Sequence, residues 1–503
     1  MPTSVDPVPP RRRPGPVANS LAASRLGTCS IVFFTIAAAA PETVVGGGAV
    51  SGFAVSGVNG IPVGYLAIAG VLGLFAIGYV TMARHVENAG AFYAYIARGL
   101  GRVPGTAAGG VAVLAYNLVQ VSLVGGFGVG AASFVRQAGG PALPWWLFAA
   151  FGVGLVALLS LLRIDANGRI LGVLLLAEIA IILLYDLAFV SDPAEPGASL
   201  TTLHPAQLGT GAAGVILVIA FTGFIGFENS TVLAEEARDP RTVRRATYAS
   251  LVVIGLLYGT STWALTVATG PEAIVGQARE HSTELMFALA ADRLPAAAVT
   301  AGSALYVTSL FAGMLSFHHV CARYLFALGR EGLAPARLAT TSARSAAPVA
   351  GSAAQTSLAL LVVALFAVTG WDPVTYLFFW GASGGALGVL LLVTATSWAV
   401  VGYFMRVPAP SHGRWRTAVA PGAAAVVLGW VLVLTLASFP VVLGAPPDSP
   451  APWLIPGAYL VVVLAGLCWG VVLRTRYPDA YARIGMGARS ATISRTEELI
   501  DAR

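Results

Sequence analysis

Long apolar segments recur along almost the whole chain, and they constrain its fold more than any other feature. A helix needs about 20 apolar residues to cross a hydrocarbon core about 30 Å thick, and most of the segments approach or exceed that length. Of 503 residues, 57% are hydrophobic and 10% are charged, against roughly 25% charged in a soluble domain. The sequence therefore predicts an all-α polytopic membrane protein with about 12 transmembrane helices.

The limits of the apolar segments place the predicted helices to within several residues at each end. The predicted spans are residues 27–52, 61–83, 104–136, 143–162, 170–191, 212–235, 247–269, 296–328, 353–369, 374–405, 417–440 and 453–474.

Arginine residues are divided unequally between the two sets of predicted loops. One set has only Arg136, Arg279 and Arg293, and its loops near 53–60 and 192–211 have no basic residue. Basic loops stay in the cytoplasm, so the pattern places both termini there and predicts a multi-pass protein of the cell membrane. Anionic lipid, rather than nucleic acid, is the expected partner of this charge. The other set contains Arg84, Arg98, Arg102, Arg163, Arg169, Arg238, Arg241, Arg244, Arg245, Arg330, Arg337, Arg344, Arg406, Arg414 and Arg416.

Two of the apolar segments contain residues that interrupt a helix. The first includes "AAAAPETVVGGGAV" (37–50), with Pro41, and the sixth includes "AFTGFIGFENST" (220–231), with Gly226. Pro and Gly free backbone groups at membrane depth, where protein, water or a ligand must satisfy them. Breaks at the start of both five-helix halves predict an inverted repeat with a shared binding site. Ordinary close packing of membrane helices through Gly is the alternative.

Two longer motifs resemble a known family. "FTGFIGFENSTVLAEEARDPRTVRRAT" (221–247) resembles the sixth helix and following loop of the amino acid–polyamine–organocation (APC) superfamily, particularly its bacterial amino acid permeases. "LSFHHVCARYLFALGREGLAPARLA" (315–339) resembles the end of helix eight and its loop in the same superfamily. The likeness extends through residues 27–474.

The resemblance implies a leucine-transporter-like 5+5 inverted repeat with broken helices 1 and 6. The implied regions are a cytoplasmic tail at 1–26, a ten-helix transport core at 27–405 with repeats 27–191 and 212–405, helices 11 and 12 within 406–474, and a cytoplasmic tail at 475–503. The connection at about 270–296 is expected to form short amphipathic helices, as a lid or as a plain connector.

In such a fold the substrate lies between the two breaks. The motif places the carboxylate side at Ala40, Pro41, Glu42 and Thr43, and the ammonium side at Phe221, Thr222, Gly223 and Phe224, with Gly226 in the same break. Phe224 and Phe227 would close over the ligand as an aromatic gate, or would simply pack between helices. Tyr116, with Asn117 and Gln120, would shape a side-chain subsite or join neighbouring helices.

Glu42 departs from what an amino acid site requires. An anionic side chain beside a carboxylate site would repel an amino acid. Three interpretations follow: Glu42 is protonated, it belongs to a proton pathway, or the substrate is a cationic amine. A position near the membrane interface is the structural alternative.

The coupling ion is predicted to be a proton, and sodium is the less favoured ion. Sodium-coupled relatives supply two adjacent hydroxyl groups from helix eight, where this chain has Leu315 and Ser316. Some proton-coupled relatives use a Lys in helix five. This chain contains no Lys, and Glu178 lies in that span, so Glu178 is the first candidate for a proton relay. His318 and His319 rank below it.

Glu235, Glu236 and Arg238 lie at the inner end of helix six. Opposite charges there would pair across a cytoplasmic gate in one state and separate in another, or would remain as a solvated loop.

The predicted function is import of an amino acid or related small amine by a secondary active transporter, by alternating access and with proton coupling. A polyamine transporter or an amino acid exchanger is the alternative. No motif indicates an enzyme, a channel filter, a nucleotide-binding loop, a metal site or a cofactor site. The sequence leaves the substrate, the choice between symport and exchange, and the oligomeric state open.

Overall fold

The computed structural model describes residues 21, 25–86, 88–162, 164–195, 197–209, 213–407, 413–445, 449–487 and 490. This part of the chain is helical and contains one isolated β-bridge, between Leu26 and Ala237. The predicted all-α class is confirmed.

Eighteen α-helices follow one another along the described chain. They are α1 (Thr28–Ala39), α2 (Val50–Ser56), α3 (Ile61–Ala83), α4 (Ala91–Gly99), α5 (Arg102–Gln137), α6 (Trp145–Ser160), α7 (Ile164–Ser191), α8 (Ala213–Gly223), α9 (Asn229–Val232), α10 (Pro240–Thr269), α11 (Ile274–His281), α12 (Leu285–Ala291), α13 (Ala296–Arg330), α14 (Val349–Thr369), α15 (Trp380–Arg406), α16 (Ala420–Val442), α17 (Leu454–Arg476) and α18 (Pro478–Arg483). Three π-helical segments, Thr43–Ala49, Pro373–Phe379 and Trp415–Val419, lead into α2, α15 and α16.

Ten helical segments of the described chain are long and apolar enough to cross a membrane, counting Thr28–Ser56 as one. The other two predicted spans are shorter. The fourth corresponds to α6, which has 16 residues. The sixth is divided by its break into α8, with 11 residues, and α9, with 4 residues. Twelve apolar segments in the sequence thus become ten long helical segments, the first of them broken, one short helix, and one shorter broken helix.

The longest helices, α5 and α13, pack against each other, and α5 also packs against α15 and α17. Glycine allows the approach of α15 to α5: a Cβ atom at Gly385 would lie 3.0 Å from the carbonyl oxygen of Ala115. Small residues bring membrane helices together in this way. Helix α1 contacts α7, α10 and α13 and so runs through the middle of the bundle.

Both predicted helix breaks are present. Helix α1 ends at Ala39, and Ala40 takes a left-handed conformation with φ of 44° before the π-helical segment begins. Helix α8 ends at Gly223, and Gly226 has φ of 111° in the turn before α9. A φ of 111° is readily accessible only to glycine.

The Asp-Pro dipeptide of the 221–247 motif marks the start of α10. The Asp239 side chain accepts hydrogen bonds from the backbone N–H groups of Arg241 at 2.7 Å and Thr242 at 2.9 Å. These bonds, the one from Thr242 first, lower the pKa of the Asp239 carboxyl. The motif therefore includes an N-cap as well as the helix break.

The two ends of the bundle differ in charge and in the short helices that lie across them. At one end α3, α13 and α15 finish and α10 and α16 begin, and we call this the arginine-rich end. The opposite end carries α11 and α12, the short helices predicted between residues 270 and 296. Arg279 of α11 donates a hydrogen bond to the carbonyl oxygen of Ala54 at 2.8 Å, which fastens α11 to α2.

The C-terminal region has more structure than the predicted tail. Helix α17 ends at Arg476 and is followed by α18, within the region predicted as a tail from residue 475. The predicted N-terminal tail, apart from residues 21, 25 and 26, and the tail residues 488, 489 and 491–503 lie outside the described residues.

Candidate functional site

A cavity of about 100 Å³ lies between the two helix breaks. One water needs roughly 10–15 Å³ by the same measure, so the cavity has room for a small solute. All the residues that line it have uncharged side chains, and most are apolar. They are Ala38, Ala39, Ala40, Thr43, Val44, Gly48, Gly52, Tyr65, Val119, Ser122, Leu123, Ile219, Thr222, Gly223, Ile225, Phe317, Phe378, Phe379, Ala382, Ser383 and Val442.

Four of the residues predicted to bind substrate belong to this lining, namely Ala40, Thr43, Thr222 and Gly223. The sequence reasoning did not find the opposite wall. That wall comes from α5, α13, α15 and the π-helical segment before α15, where apolar residues stand in continuous apolar helices and nothing in the local pattern distinguishes a lining residue. Ser122 and Ser383 are the polar exceptions in that wall.

Side chains from two other helices, α7 and α10, bond the backbone of the break in the first helix, and a third helix, α13, supports one of them. The backbone N–H of Glu42 and the hydroxyl of Ser309 both donate to Oε1 of Glu178, each at 2.6 Å. The Tyr258 hydroxyl donates to the carbonyl oxygen of Ala39 at 2.9 Å. The sequence singled out Glu178 as a carboxyl group in the fifth span, where some proton-coupled relatives have a Lys, and Glu178 contacts the break directly.

The Glu42 side chain is fully buried but is not part of the cavity lining. Neither of its carboxylate oxygens has a hydrogen-bond partner in the described structure. The carboxyl group of Glu42 lies near that of Glu178 and near the hydroxyl groups of Tyr185 and Tyr306. Glu42 thus lies on the side of the break that faces α7 and α13, beside Glu178.

The break in the sixth helix contains a second buried carboxyl group, on Glu228. Its Oε2 accepts the backbone N–H of Gly226 at 2.9 Å, and its Oε1 accepts the hydroxyl of Tyr116 at 2.9 Å. Tyr116, which the sequence predicted to shape a substrate subsite or to join helices, is a residue of α5, and its hydrogen bond joins the break to that helix. The sequence placed Glu228 in the break without assigning it a contact.

The other predicted site residues lie around the cavity rather than in its lining. Phe224 packs against Tyr258, with ring centroids 5.9 Å apart, and Phe227 packs against Phe75 at 6.0 Å. Pro41, Phe221 and Gly226 are buried but are not lining residues either.

The coupling candidates on α13 occupy separate positions. Ser316 is buried and its hydroxyl has no partner in the described structure, whereas Ser309, two turns earlier, bonds Glu178. His319 lies 3.1 Å from the Asn167 amide, and His318 lies 2.8 Å from the Ser352 hydroxyl. Both histidines therefore join α13 to neighbouring helices.

Two ion pairs lie at the arginine-rich end. Glu236 accepts two hydrogen bonds from Arg323, at 2.7 and 2.9 Å, and both side chains are 2% exposed. Glu235 accepts two from Arg330, at 2.6 and 2.9 Å. The sequence predicted charged pairs involving both glutamates, but it considered Arg238 and its neighbours as the partners. Arg238 belongs to neither pair, and its backbone N–H donates to the carbonyl oxygen of Leu26 at 3.0 Å.

The apolar helices and the neutral cavity between the two helix breaks define the class of the protein, a multi-pass membrane protein. Comparison with known proteins names the family. The model of the amino acid permease family matches residues 26–466, and the chain belongs to that family.

A curated relative and two solved structures add to this. Over 317 residues the chain is 27% identical to the branched-chain amino acid permease BcaP of Lactococcus lactis subsp. cremoris (strain MG1363). That match covers 57% of this chain and 64% of the relative, which is less than two thirds of its length. Crystal structures of two mutants of the Eremococcus coleocola manganese transporter share the fold, with TM-scores of 0.54 and 0.53. Each is 12% identical, with 90% of this chain and 97% of that chain covered.

The buried ion pair of Arg323 and Glu236 should stabilise the packing of α13 at the arginine-rich end, and this can be tested. Replacing Arg323 with Met leaves Glu236 buried without its partner, which costs about 3–5 kcal/mol. We expect a lower melting temperature and faster maleimide labelling of Cys321, which is buried on α13 two residues from Arg323. Labelling is measured on purified protein that carries Cys29→Ser and Cys468→Ser, because both of those cysteines are exposed.

The pair of Arg293 and Asp192, at the opposite end of α13, provides the control. Their side chains lie 3.4 Å apart, and Asp192 is 75% exposed. Arg293→Met should leave the labelling rate of Cys321 unchanged. The double variant Arg323→Met, Glu236→Gln should recover part of the lost stability, since it removes the unpaired charge. Labelling of Arg323→Met at the parental rate would contradict this prediction.

Proposed function

We propose that this protein imports neutral amino acids with apolar side chains across the cell membrane, by alternating access and with proton coupling. The observation that carries the proposal is the uncharged, largely apolar cavity between the two helix breaks. Backbone groups at the breaks would hold the ammonium and carboxylate groups, and the apolar wall would take the side chain.

The neutral lining favours a zwitterion over a polyamine. A buried cation without a nearby anion loses its hydration without compensation. The two carboxyl groups that bond the breaks, on Glu178 and Glu228, already accept bonds from the backbone, and Glu42 is outside the lining. The named substrate class of the Lactococcus relative, branched-chain amino acids, agrees with an apolar cavity.

Proton coupling would operate through Glu178 and Glu42. In this conformation Glu178 accepts bonds from the helix break and from α13. Movement of α1 relative to α7 would remove the bond from Glu42, and movement of α13 relative to α7 would remove the bond from Ser309. Either movement would change the affinity of Glu178 for a proton. By linkage, binding or loss of the proton would then bias the movement of α1.

Alternating access would use the two ion pairs at the arginine-rich end. The positive-inside rule favours a cytoplasmic location for this end, and the described conformation would then be closed on the cytoplasmic side. Substrate release requires Arg323 and Arg330 of α13 to part from Glu236 and Glu235 at the end of the broken sixth helix.

Substrate class is tested by uptake into proteoliposomes. We expect saturable uptake of radiolabelled leucine, isoleucine or valine, and none of putrescine or spermidine. Ala382→Phe should fill the cavity and raise the leucine KM about tenfold or more, since overpacking costs about 1–3 kcal/mol. Ala367→Phe makes the same change at an exposed position of α14 and should leave KM unchanged. Uptake of putrescine in preference to leucine would overturn the proposed substrate.

Coupling is tested with imposed gradients. We expect an inward pH gradient, but not a sodium gradient, to drive leucine accumulation. Glu178→Gln should abolish the accumulation but retain exchange of labelled for unlabelled leucine, because the amide oxygen can still accept the Glu42 N–H. The control is Asp186→Asn on the same helix, where Asp186 accepts the Ser261 hydroxyl at 2.6 Å, away from the break. Accumulation by Glu178→Gln at the parental level would exclude Glu178 as the coupling group.

A further inference from the structure

A second cavity, of about 410 Å³, opens at the arginine-rich end between α3, α10 and the segment that leads into α16. Its walls differ in character along their length. Ile77 and Val80 of α3 form an apolar part. The rest is formed by Thr81, by three arginine side chains and by two aromatic rings. The lining residues are Ile77, Val80, Thr81, Arg84, Arg244, Tyr248, Trp415 and Arg416.

The three arginines come from three separate elements and concentrate positive charge. Within the described residues, none of Arg84, Arg244 and Arg416 forms an ion pair with a carboxylate. Burial, followed by the like charges of Arg244 and Arg416, lowers the pKa of Arg84. Arginines that repel one another around a cavity indicate a site for an anion.

The position of the cavity indicates an amphipathic anion. Arg84 directly follows the last residue of α3, a membrane-spanning helix, and Trp415 begins the helical segment of another. Trp415 is 55% exposed, and tryptophan concentrates at the membrane–water interface. The polar part of the cavity therefore lies at headgroup level and the apolar part extends along α3 towards the acyl region.

We propose that this cavity binds the headgroup of an anionic phospholipid of the cytoplasmic leaflet. The guanidinium groups of Arg84, Arg244 and Arg416 would donate charge-assisted hydrogen bonds to the phosphodiester. An acyl chain would lie along Ile77, Val80 and Trp415. Basic pockets between helices on this side of a membrane bind such headgroups.

The test compares phospholipids on detergent-solubilised protein by native mass spectrometry and thermal unfolding. We expect phosphatidylglycerol, but not phosphatidylcholine, to bind and raise the melting temperature. The variant Arg84→Gln, Arg244→Gln should weaken phosphatidylglycerol binding about tenfold or more. The control Arg474→Gln, Arg476→Gln removes equal charge from exposed positions at the end of α17 and should bind as the parent does.

Three outcomes would overturn the proposal. The first is equal phosphatidylglycerol binding by the pocket variant and the parent, and the second is an equal loss of binding in both double variants. The third is an equal rise in melting temperature with millimolar inorganic phosphate, which would assign the site to free phosphate. Arg416→Gln alone, which alters an exposed side chain, should show an intermediate loss and serves if the double variant does not fold.

An independent observation concerns the segment after α18. Gly485 and Gly487 both have left-handed conformations, with φ of 77° and 59°. The backbone N–H groups of Gly485 and Met486 point to Oε2 of Glu331, and that of Gly487 points to Oε1 at 2.9 Å. Successive N–H groups arranged in this way form an anion-binding nest, here occupied by a carboxylate of the same chain.

This nest lies beside the ion pairs that close the arginine-rich end. Glu331 is fully buried and directly follows Arg330, which bonds Glu235. On the other side, Asn88 donates to Glu331 at 2.6 Å, and the next residue, Ala89, donates its N–H to Glu235 at 2.9 Å. The C-terminal segment and the ion pair are thus connected through two pairs of consecutive residues.

We infer that residues 484–487 act as a latch that holds the arginine-rich end closed and must be released for it to open. This inference rests on the proposed alternating access. Truncation after Arg483 should speed maleimide labelling of Cys321 about fivefold or more, in the background with Cys29→Ser and Cys468→Ser. Truncation after Ser490 retains the nest and should label at the parental rate.

Glu331→Gln keeps the chain length and should increase labelling as well, since it removes the charge that the nest binds. Equal labelling of both truncations and the full chain would overturn the latch. Labelling needs no substrate, so failure of leucine uptake would contradict the proposed function without affecting this result.

Discussion

Backbone groups freed at the two helix breaks lie inside an apolar bundle, where every unpaired N–H or C=O group costs several kcal/mol. The chain meets this cost in the same way twice. Glu178 accepts the N–H of Glu42 in the first break, and Glu228 accepts that of Gly226 in the second. Each carboxyl group also accepts a hydroxyl from a long helix, Ser309 of α13 or Tyr116 of α5. The breaks are therefore tied to the two longest helices of the described chain.

Helix α13 connects this arrangement with the arginine-rich end. Ser309 accepts the hydroxyl of Thr43 next to the first break and donates to Glu178, and Arg323, 14 residues later on the same helix, pairs with Glu236. At 1.5 Å per residue these positions are about 21 Å apart. Because one continuous helix contacts both regions, a rearrangement at the proposed proton site would be transmitted along α13 to the proposed gate. Such coupling is measured as a change at one end caused by a substitution at the other.

Features encoded by composition and local pattern could be predicted from the sequence. The length of the apolar segments predicted the helices. Pro41 and Gly226 predicted the breaks, because each of these residues alters the backbone itself. Features that depend on side-chain register could not. Leu123 and Ser122 line the cavity from within a long apolar helix, and nothing local separates them from their neighbours. The partner of Glu236 is Arg323, 87 residues away, so only the packing of α13 against the broken helix reveals it.

The chemistry of the cavity sets what the proposed transporter can distinguish. An apolar pocket separates ligands that differ by one methylene by only about 1–3 kcal/mol, so leucine, isoleucine and valine should compete for one site. Cationic ligands face a different barrier, because a buried charge needs a partner and the lining offers none. Placing Glu42 and Glu178 behind the break, on its α7 side, keeps two carboxyl groups close to the cavity without presenting them to the ligand. Exclusion of cations and binding of a coupling proton are then compatible within one broken helix.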